Sequence, residues 1–229
     1  MNAFLIETPP LDVFEQMAVD EALTRSHPDA FCLRFFRWKG VGLTFGYAQR
    51  FQAVERLLPP EVGENWTRRP TGGGVVPHLN DLTFSCVFPD EGGVDSTRIY
   101  RRLHSAIQQA LDAGGLDVRL SASDAGGNSH ASPVASQCFQ EPVPMDILSG
   151  EDKILGGAIR RMGTTVLYQG SLQLPDARQR TTELEPLLQT QLGVEWGLEW
   201  ASRGLAGLLK VDLKPLKAAY RSSEWLQRR

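Results

Sequence analysis

Between positions 68 and 78 the chain reads Arg-Arg-Pro-Thr-Gly-Gly-Gly-Val-Val-Pro-His, and no other stretch constrains its fold as tightly. Three successive glycines, Gly72, Gly73 and Gly74, carry no Cβ, so another main chain or a ligand can come close and their N–H groups can donate to it. Such a turn can cradle an anion or a carbonyl. Arg68 and Arg69 add planar donors suited to carboxylate or phosphate. Taken alone, the triplet reads first as a glycine-rich hairpin with solvated arginines. The whole constellation, with His78 at its edge, points to a binding wall; His78 itself can contact a ligand or hold the loop.

The flanking pattern is that of a mixed α and β chain. Residues 3–6 read as a strand, and Asp12 followed by Glu15 opens a helix over about 12–25 with a capping box. Asp20 and Glu21 on that helix are expected to face water or to cap. Strands follow at 31–38 and 41–47, and a short helix or turn at about 51–58. Leu82, Phe84, Cys86 and Phe88 alternate with Thr83 and Ser85, the period of a half-buried strand. Ile99, Leu103, Ala106, Ile107, Ala110 and Leu111 define one face of a helix over 95–113, with Gly114-Gly115 as its stop. His104 on this helix has no partner nearby in sequence and reads as incidental.

Residues 121–136 are almost all small, cannot bury much, and are expected to form a mobile loop. Strands resume at 145–148, 153–159 and 164–174, with a tight turn expected at 160–163. In the last of them Gln169 and Ser171 oppose Val166, Tyr168 and Leu172, as when a sheet presents polar groups to a pocket. Residues 176–229 are expected to be helical in pieces, with Pro186 and Pro215 near starts and Gly193 near a stop.

Composition narrows the function classes. The 229 residues, 41% hydrophobic and 22% charged, suit a single domain with a proper core. A formal charge of −3 gives no electrostatic case for nucleic acid. Three scattered cysteines and four scattered histidines provide neither a disulfide framework nor a metal site. No signal peptide or membrane span is expected, so the setting expected is cytoplasmic.

A second constellation lies at the end of the small-residue loop. Cys32 and Cys86 sit in apolar strand patterns and read as core fillers. Cys138, in Gln137-Cys-Phe-Gln-Glu-Pro142, does not, and Lys153 follows at a turn-to-strand junction. A cation beside a thiol favours the thiolate. A thiolate can take an acyl group from a thioester and pass it to an amine. The lysine could stabilise the thiolate, an oxyanion, or both.

Several segments together resemble the biotin/lipoate protein ligase superfamily over most of the chain. They are Met17–Leu23, Gly42–Gln49, Arg68–His78 with Leu82–Ser85, Lys153-Ile-Leu-Gly-Gly-Ala158, and Tyr168-Gln-Gly-Ser-Leu172. The resemblance implies an α+β fold of the class II aminoacyl-tRNA synthetase/biotin synthetase type, a large mixed sheet flanked by helices. It implies one catalytic domain over 1–229, with a helical segment at about 176–229 and no accessory domain.

Cys138-Phe139 followed by Pro142 and the strand beginning near Met145 resembles the cysteine segment of the one-domain octanoyltransferases and amidotransferases, of which the octanoyltransferases are the reading preferred. That likeness implies transfer of an octanoyl group from acyl carrier protein to a lysine of a lipoyl domain, through a thioester on Cys138. Acceptors in the family are the glycine cleavage H protein and the acyltransferase subunits of 2-oxoacid dehydrogenases. The site implied is Cys138 and Lys153 for catalysis, with Arg68, Arg69, Gly72–Gly74, His78, Gly156, Gly157, Gln169 and Gly170 around the substrate. No bound cofactor is implied. The alternatives are an ATP- and Mg-dependent lipoate ligase, a lipoyl-domain amidotransferase, and a non-catalytic acyl-binding homologue. Three departures from the family pattern, Pro77, Ile159 and Gln169, are expected to alter the pocket lining.

Overall fold

Asp12 starts the first helix in the way its spacing to Glu15 requires. The Glu15 N–H donates to Asp12 Oδ1 at 2.8 Å, and the Asp12 N–H donates to Glu15 Oε2 at 3.0 Å. Two otherwise orphaned donors are thereby satisfied. The computed structural model describes residues 1–121 and 144–228. The expected loop over 121–136 lies outside that description from residue 122 onward, and so does Cys138.

In chain order the elements are β1 (Asn2–Glu7), α1 (Val13–Ser26), β2 (Ala30–Phe35), β3 (Gly42–Phe45), α2 (Phe51–Glu55), β4 (Trp66–Arg68), β5 (Val75–His78) and β6 (Leu82–Pro89). Then come α3 (Ser96–Ala113), β7 (Arg119–Leu120), β8 (Ile147–Ser149), β9 (Asp152–Met162) and β10 (Thr165–Leu172). The remainder is α4 (Thr181–Trp196), β11 (Trp200–Gly204), α5 (Leu213–Arg221) and α6 (Ser223–Leu226).

Eight strands form one mixed sheet in the order β11-β1-β2-β6-β10-β9-β8-β7, and a second sheet has the order β4-β3-β5. The period-two strands give the large sheet two unlike faces. Phe84, Cys86, Val166, Tyr168 and Leu172 turn to one side and pack with the apolar stripe of α3 and with Leu184, Leu188 and Leu192 of α4. Each large side chain so buried contributes about 1.5–3 kcal/mol. Val19 and Leu23 of α1 cover part of the other side, with Cys32, Val87 and Leu167. Thr83, Ser85, Gln169 and Ser171 are buried polar residues of the strands β6 and β10.

Several local expectations shift. The glycine stretch is no hairpin, because β4 and β5 do not pair with each other. Both pair with β3, β4 in parallel and β5 antiparallel, so the stretch crosses the end of β3. Strand β2 stops at Phe35 rather than Trp38, and Trp38 stacks on the His78 ring at 4.3 Å. Strand β9 runs on through Arg160 and Arg161, and the turn comes at Gly163, where φ is +64°. The 176–229 segment contains a strand, β11, which adds to the edge of the sheet beside β1. Gly193 lies inside α4, where a Cβ would stand 2.9 Å from the Trp200 indole nitrogen; the helix stops at Gly197 with φ +61°. None of the described helices is long and apolar enough to cross a membrane.

Candidate active site

The glycine stretch is held from behind by the end of β3. A Cβ on Gly46 would lie 1.9 Å from the Gly73 carbonyl oxygen, so the crossing requires glycine at 46 as well as in the triplet. Gly73 has φ +88°, the left-handed region. The Gly46 N–H donates to Gly74 O at 3.1 Å and the Tyr47 N–H to Thr71 O at 2.8 Å. From the other side Arg160 donates to Pro70 O at 2.9 Å while its guanidinium lies 4.1 Å from the Tyr47 ring centre.

The two arginines part company here. Arg68 is buried and turns away from the wall. Its guanidinium donates to the carbonyls of Tyr47, Gln49 (2.8 Å), Trp225 (3.2 Å) and Leu226 (2.7 Å), tying the loop to α6. Arg69 turns inward and donates to Gly72 O at 2.6 Å and to Thr44 Oγ1 at 3.3 Å.

Between the small sheet and the polar face of the large one lies a narrow cavity of about 30 Å³, partly open to solvent. Met17, Phe36 and Val76 supply apolar wall, and Arg69, His78, Thr44 and Thr83 supply polar wall. Strands β9 and β10 supply Gly156, Gly157, Ala158, Gln169, Gly170 and Ser171. Of the family departures, only Gln169 reaches the cavity. Pro77 is absent from its wall, and Ile159 packs on the α3 side, its N–H donating to Tyr100 Oη at 2.9 Å.

His78 is fixed on both ring nitrogens. Nδ1 meets Asp81 Oδ2 at 2.8 Å, and Nε2 meets Thr44 Oγ1 at 2.9 Å. The carboxylate of Asp81 also accepts from Thr83 and Ser171, at 2.6 and 2.7 Å. Burial pushes the Asp81 carboxyl up, but the His78 ring and these donors outweigh it and hold it below its ordinary value.

Lys153 lies against Gly156, a residue of the cavity wall. Its Nζ stands 2.8 Å from Asp146 Oδ2, with both side chains buried. A Cβ on Gly156 would fall 2.7 Å from Lys153 Cε and 3.0 Å from Nζ, so this glycine makes room for the lysine. Asp146 is the residue that sequence reasoning missed. Its signal was the hairpin that folds β8 back on β9, but a register shift between Ile147 and Leu148 hides the pairing.

The expectation for Asp20 also fails. It is fully buried and pairs with Arg34 at 2.6 Å, because β2 delivers a buried guanidinium beneath α1. Asp20 further accepts from Ser85 at 2.7 Å and from Gln169 Nε2 at 2.7 Å, while Gln169 Oε1 accepts from Thr71 at 2.7 Å. Gln169 thus links the α1 ion pair to the glycine stretch. Glu21 faces outward to Arg25 and accepts from the Tyr220 hydroxyl at 2.7 Å. Burial pushes the Cys32 thiol up to about 12, and the Cys86 thiol higher still, which makes both inert.

Residues 12–184 match the lipoyl protein ligase A/B catalytic domain family. The octanoyltransferase LipM of Moorella thermoacetica is 27% identical to this chain, with 98% of this chain and 97% of that one aligned. The octanoyltransferase LipM of Lysinibacillus sphaericus is also 27% identical, over 92% of this chain and 88% of its own. Among solved structures, a lipoate-protein ligase A bound with ATP superposes with a TM-score of 0.74 at 23% identity, over 99% of both chains. The bipartite lipoate protein ligase of Thermoplasma acidophilum gives 0.69 at 21% identity, over 99% of this chain and 96% of that one. The two solved structures establish the shared fold.

Proposed function

Because the chain belongs to the lipoyl protein ligase A/B catalytic domain family, we propose that it is an octanoyltransferase of lipoate biosynthesis. It moves an octanoyl group from acyl carrier protein to a lysine of a lipoyl domain, by way of Cys138. One observation carries this reading: a buried Lys153 lies against Gly156 in the wall of a part-apolar cavity, in a chain aligned almost end to end with octanoyltransferases.

The Cys138 thiolate attacks the thioester carbonyl of the octanoyl-phosphopantetheine. A new C–S bond forms, negative charge develops on the carbonyl oxygen, and the old C–S bond breaks. The pantetheine leaves as a thiolate and takes up a proton. The ε-amine of the acceptor lysine then attacks the enzyme thioester, a C–N bond forms, and Cys138 departs as thiolate while the amine proton is lost to solvent. The Lys153 ammonium, held by Asp146, stabilises the oxyanion in both halves. Met17, Phe36 and Val76 receive the acyl chain, and Arg69 and His78 shape the polar wall beside it. The buried, inert state of Cys32 and Cys86 supports Cys138 as the nucleophile.

The test is intact-mass analysis after incubation with octanoyl carrier protein. The wild type should gain one octanoyl group, and Cys138→Ala should gain none. An adduct that survives the substitution would sink Cys138 as the nucleophile, and turnover of free octanoate that requires ATP would instead indicate ligase chemistry.

A further inference from the structure

Met145 is the one non-glycine residue among those described with a positive φ, at +75°. A backbone in this region is disfavoured for a non-glycine residue and persists only where its surroundings enforce it. The next residue is Asp146, whose carboxylate holds Lys153. The strained peptide therefore sets the starting point of the side chain that aims the lysine.

The enforcing contacts come from two other elements. His104 of α3 is buried, and its Nδ1 lies 2.6 Å from the carbonyl oxygen of Met145. Its Nε2 lies 3.0 Å from the Tyr168 hydroxyl on β10. The proton positions follow from these partners. A carbonyl only accepts, so Nδ1 carries the proton and donates to Met145 O. Burial keeps this imidazole neutral, pulling its pKa down to about 4. Nε2 must then accept from Tyr168, whose phenol is kept protonated first by burial and then by neighbouring Cys86, Tyr100 and Asp146.

Tyr168 is itself held firmly. A Cβ on Gly157 would come within 2.3 Å of its hydroxyl, and one on Gly170 within 2.8 Å. Consecutive glycines on β9 thus serve two ends of one relay, Gly156 leaving space for Lys153 and Gly157 for Tyr168.

We propose that His104 and Tyr168 are positioning residues for acyl transfer: through the Met145 carbonyl they fix Asp146, and with it Lys153, in the geometry that the oxyanion requires. The proposal rests on the octanoyltransferase reading for its reaction, but its effect on Lys153 can be read without turnover.

Two substitutions at one position separate this role from packing. His104→Asn retains a donor near the place of Nδ1 and loses the reach to Tyr168. His104→Gln reaches the place of Nε2, fills more of the imidazole volume, and loses the donor to Met145. If His104 only fills space, Gln should be the better replacement in both stability and activity. If it positions Asp146, His104→Asn should transfer octanoyl faster than His104→Gln despite the larger void. The expected result is a fall in kcat of about tenfold or more for His104→Gln, with KM for octanoyl carrier protein unchanged. Tyr168→Phe keeps the ring and should fall between His104→Asn and the wild type.

The second measurement is the rate at which acetic anhydride modifies Lys153, followed by peptide mass spectrometry. It should rise several-fold in His104→Gln and stay near wild type in His104→Asn. Activity or Lys153 labelling that follows side-chain volume would overturn the proposal. Absence of octanoyl transfer in the wild type would sink the octanoyltransferase reading alone, and the labelling order would still decide the role of His104.

Discussion

Lys153 Nζ and Asp146 Oδ2 stand 2.8 Å apart with both side chains almost wholly out of water. A buried pair of this kind is costly to assemble and costlier to break, because the surviving charge is left without compensation. Asp146→Asn should therefore destabilise the protein by about 3 kcal/mol. Lys153→Met removes the cation and should lower kcat about 100-fold or more, as losing an oxyanion donor does elsewhere. Urea melts and single-turnover octanoyl transfer check the two effects. Equal activity of Lys153→Met and wild type would remove the lysine from the reaction.

Neighbouring glycines on β9 should fail in different ways. An alanine at 156 meets the flexible end of Lys153, which can swing aside; activity should fall at least about tenfold, the cost of a displaced catalytic group, with little change in Tm. An alanine at 157 meets the packed Tyr168 ring, and overpacking there should cost about 1–3 kcal/mol of stability. Paired thermal melts and kinetics on Gly156→Ala and Gly157→Ala measure the contrast.

Arg68 and Arg69 are adjacent yet should answer to different assays. Arg68→Lys gives up a planar fork that serves four carbonyls, and an ammonium cannot match that geometry. It should lose about 2 kcal/mol or more of stability while KM for the acyl donor is preserved. Arg69→Lys, on the cavity wall, should raise KM instead. A Tm shift of similar size in both variants would contradict this division.

The buried His104 makes stability depend on pH in a defined window. Its ordinary pKa is 6.5, and in the folded protein burial, with a smaller contribution from Lys153, brings it to about 4. Between those values the unfolded chain binds a proton that the folded one does not. The stabilisation is complete above pH 6.5 and is lost as pH falls toward 4, by on the order of 3 kcal/mol in all. Urea melts at pH 7.5 and 4.5 should show this loss in the wild type and not in His104→Gln. Acid loss linked to Asp81, whose carboxyl is held low, belongs to more acidic pH and should persist in both.

The sequence by itself determined whatever depends on short-range geometry. The Asp12–Glu15 spacing placed the start of α1, and the α3 stripe and the alternation in β6 and β10 assigned core and cavity faces. The motif pattern also pointed to the family and to Lys153, Gln169 and the glycines of β9 and β10. The tertiary structure alone decided where charged groups ended. Asp20 and Glu21 are consecutive on one helix, yet Asp20 meets Arg34 inside and Glu21 meets Arg25 at the surface. Arg68 and Arg69 point to opposite sides of one strand end. Asp146 reaches Lys153 only through a bulged register, and His104 finds its partners 41 and 64 residues away. Local propensity is fixed by neighbours in the chain. The partner of a buried charge or imidazole is fixed by which strands lie side by side, and no window of sequence contains that information.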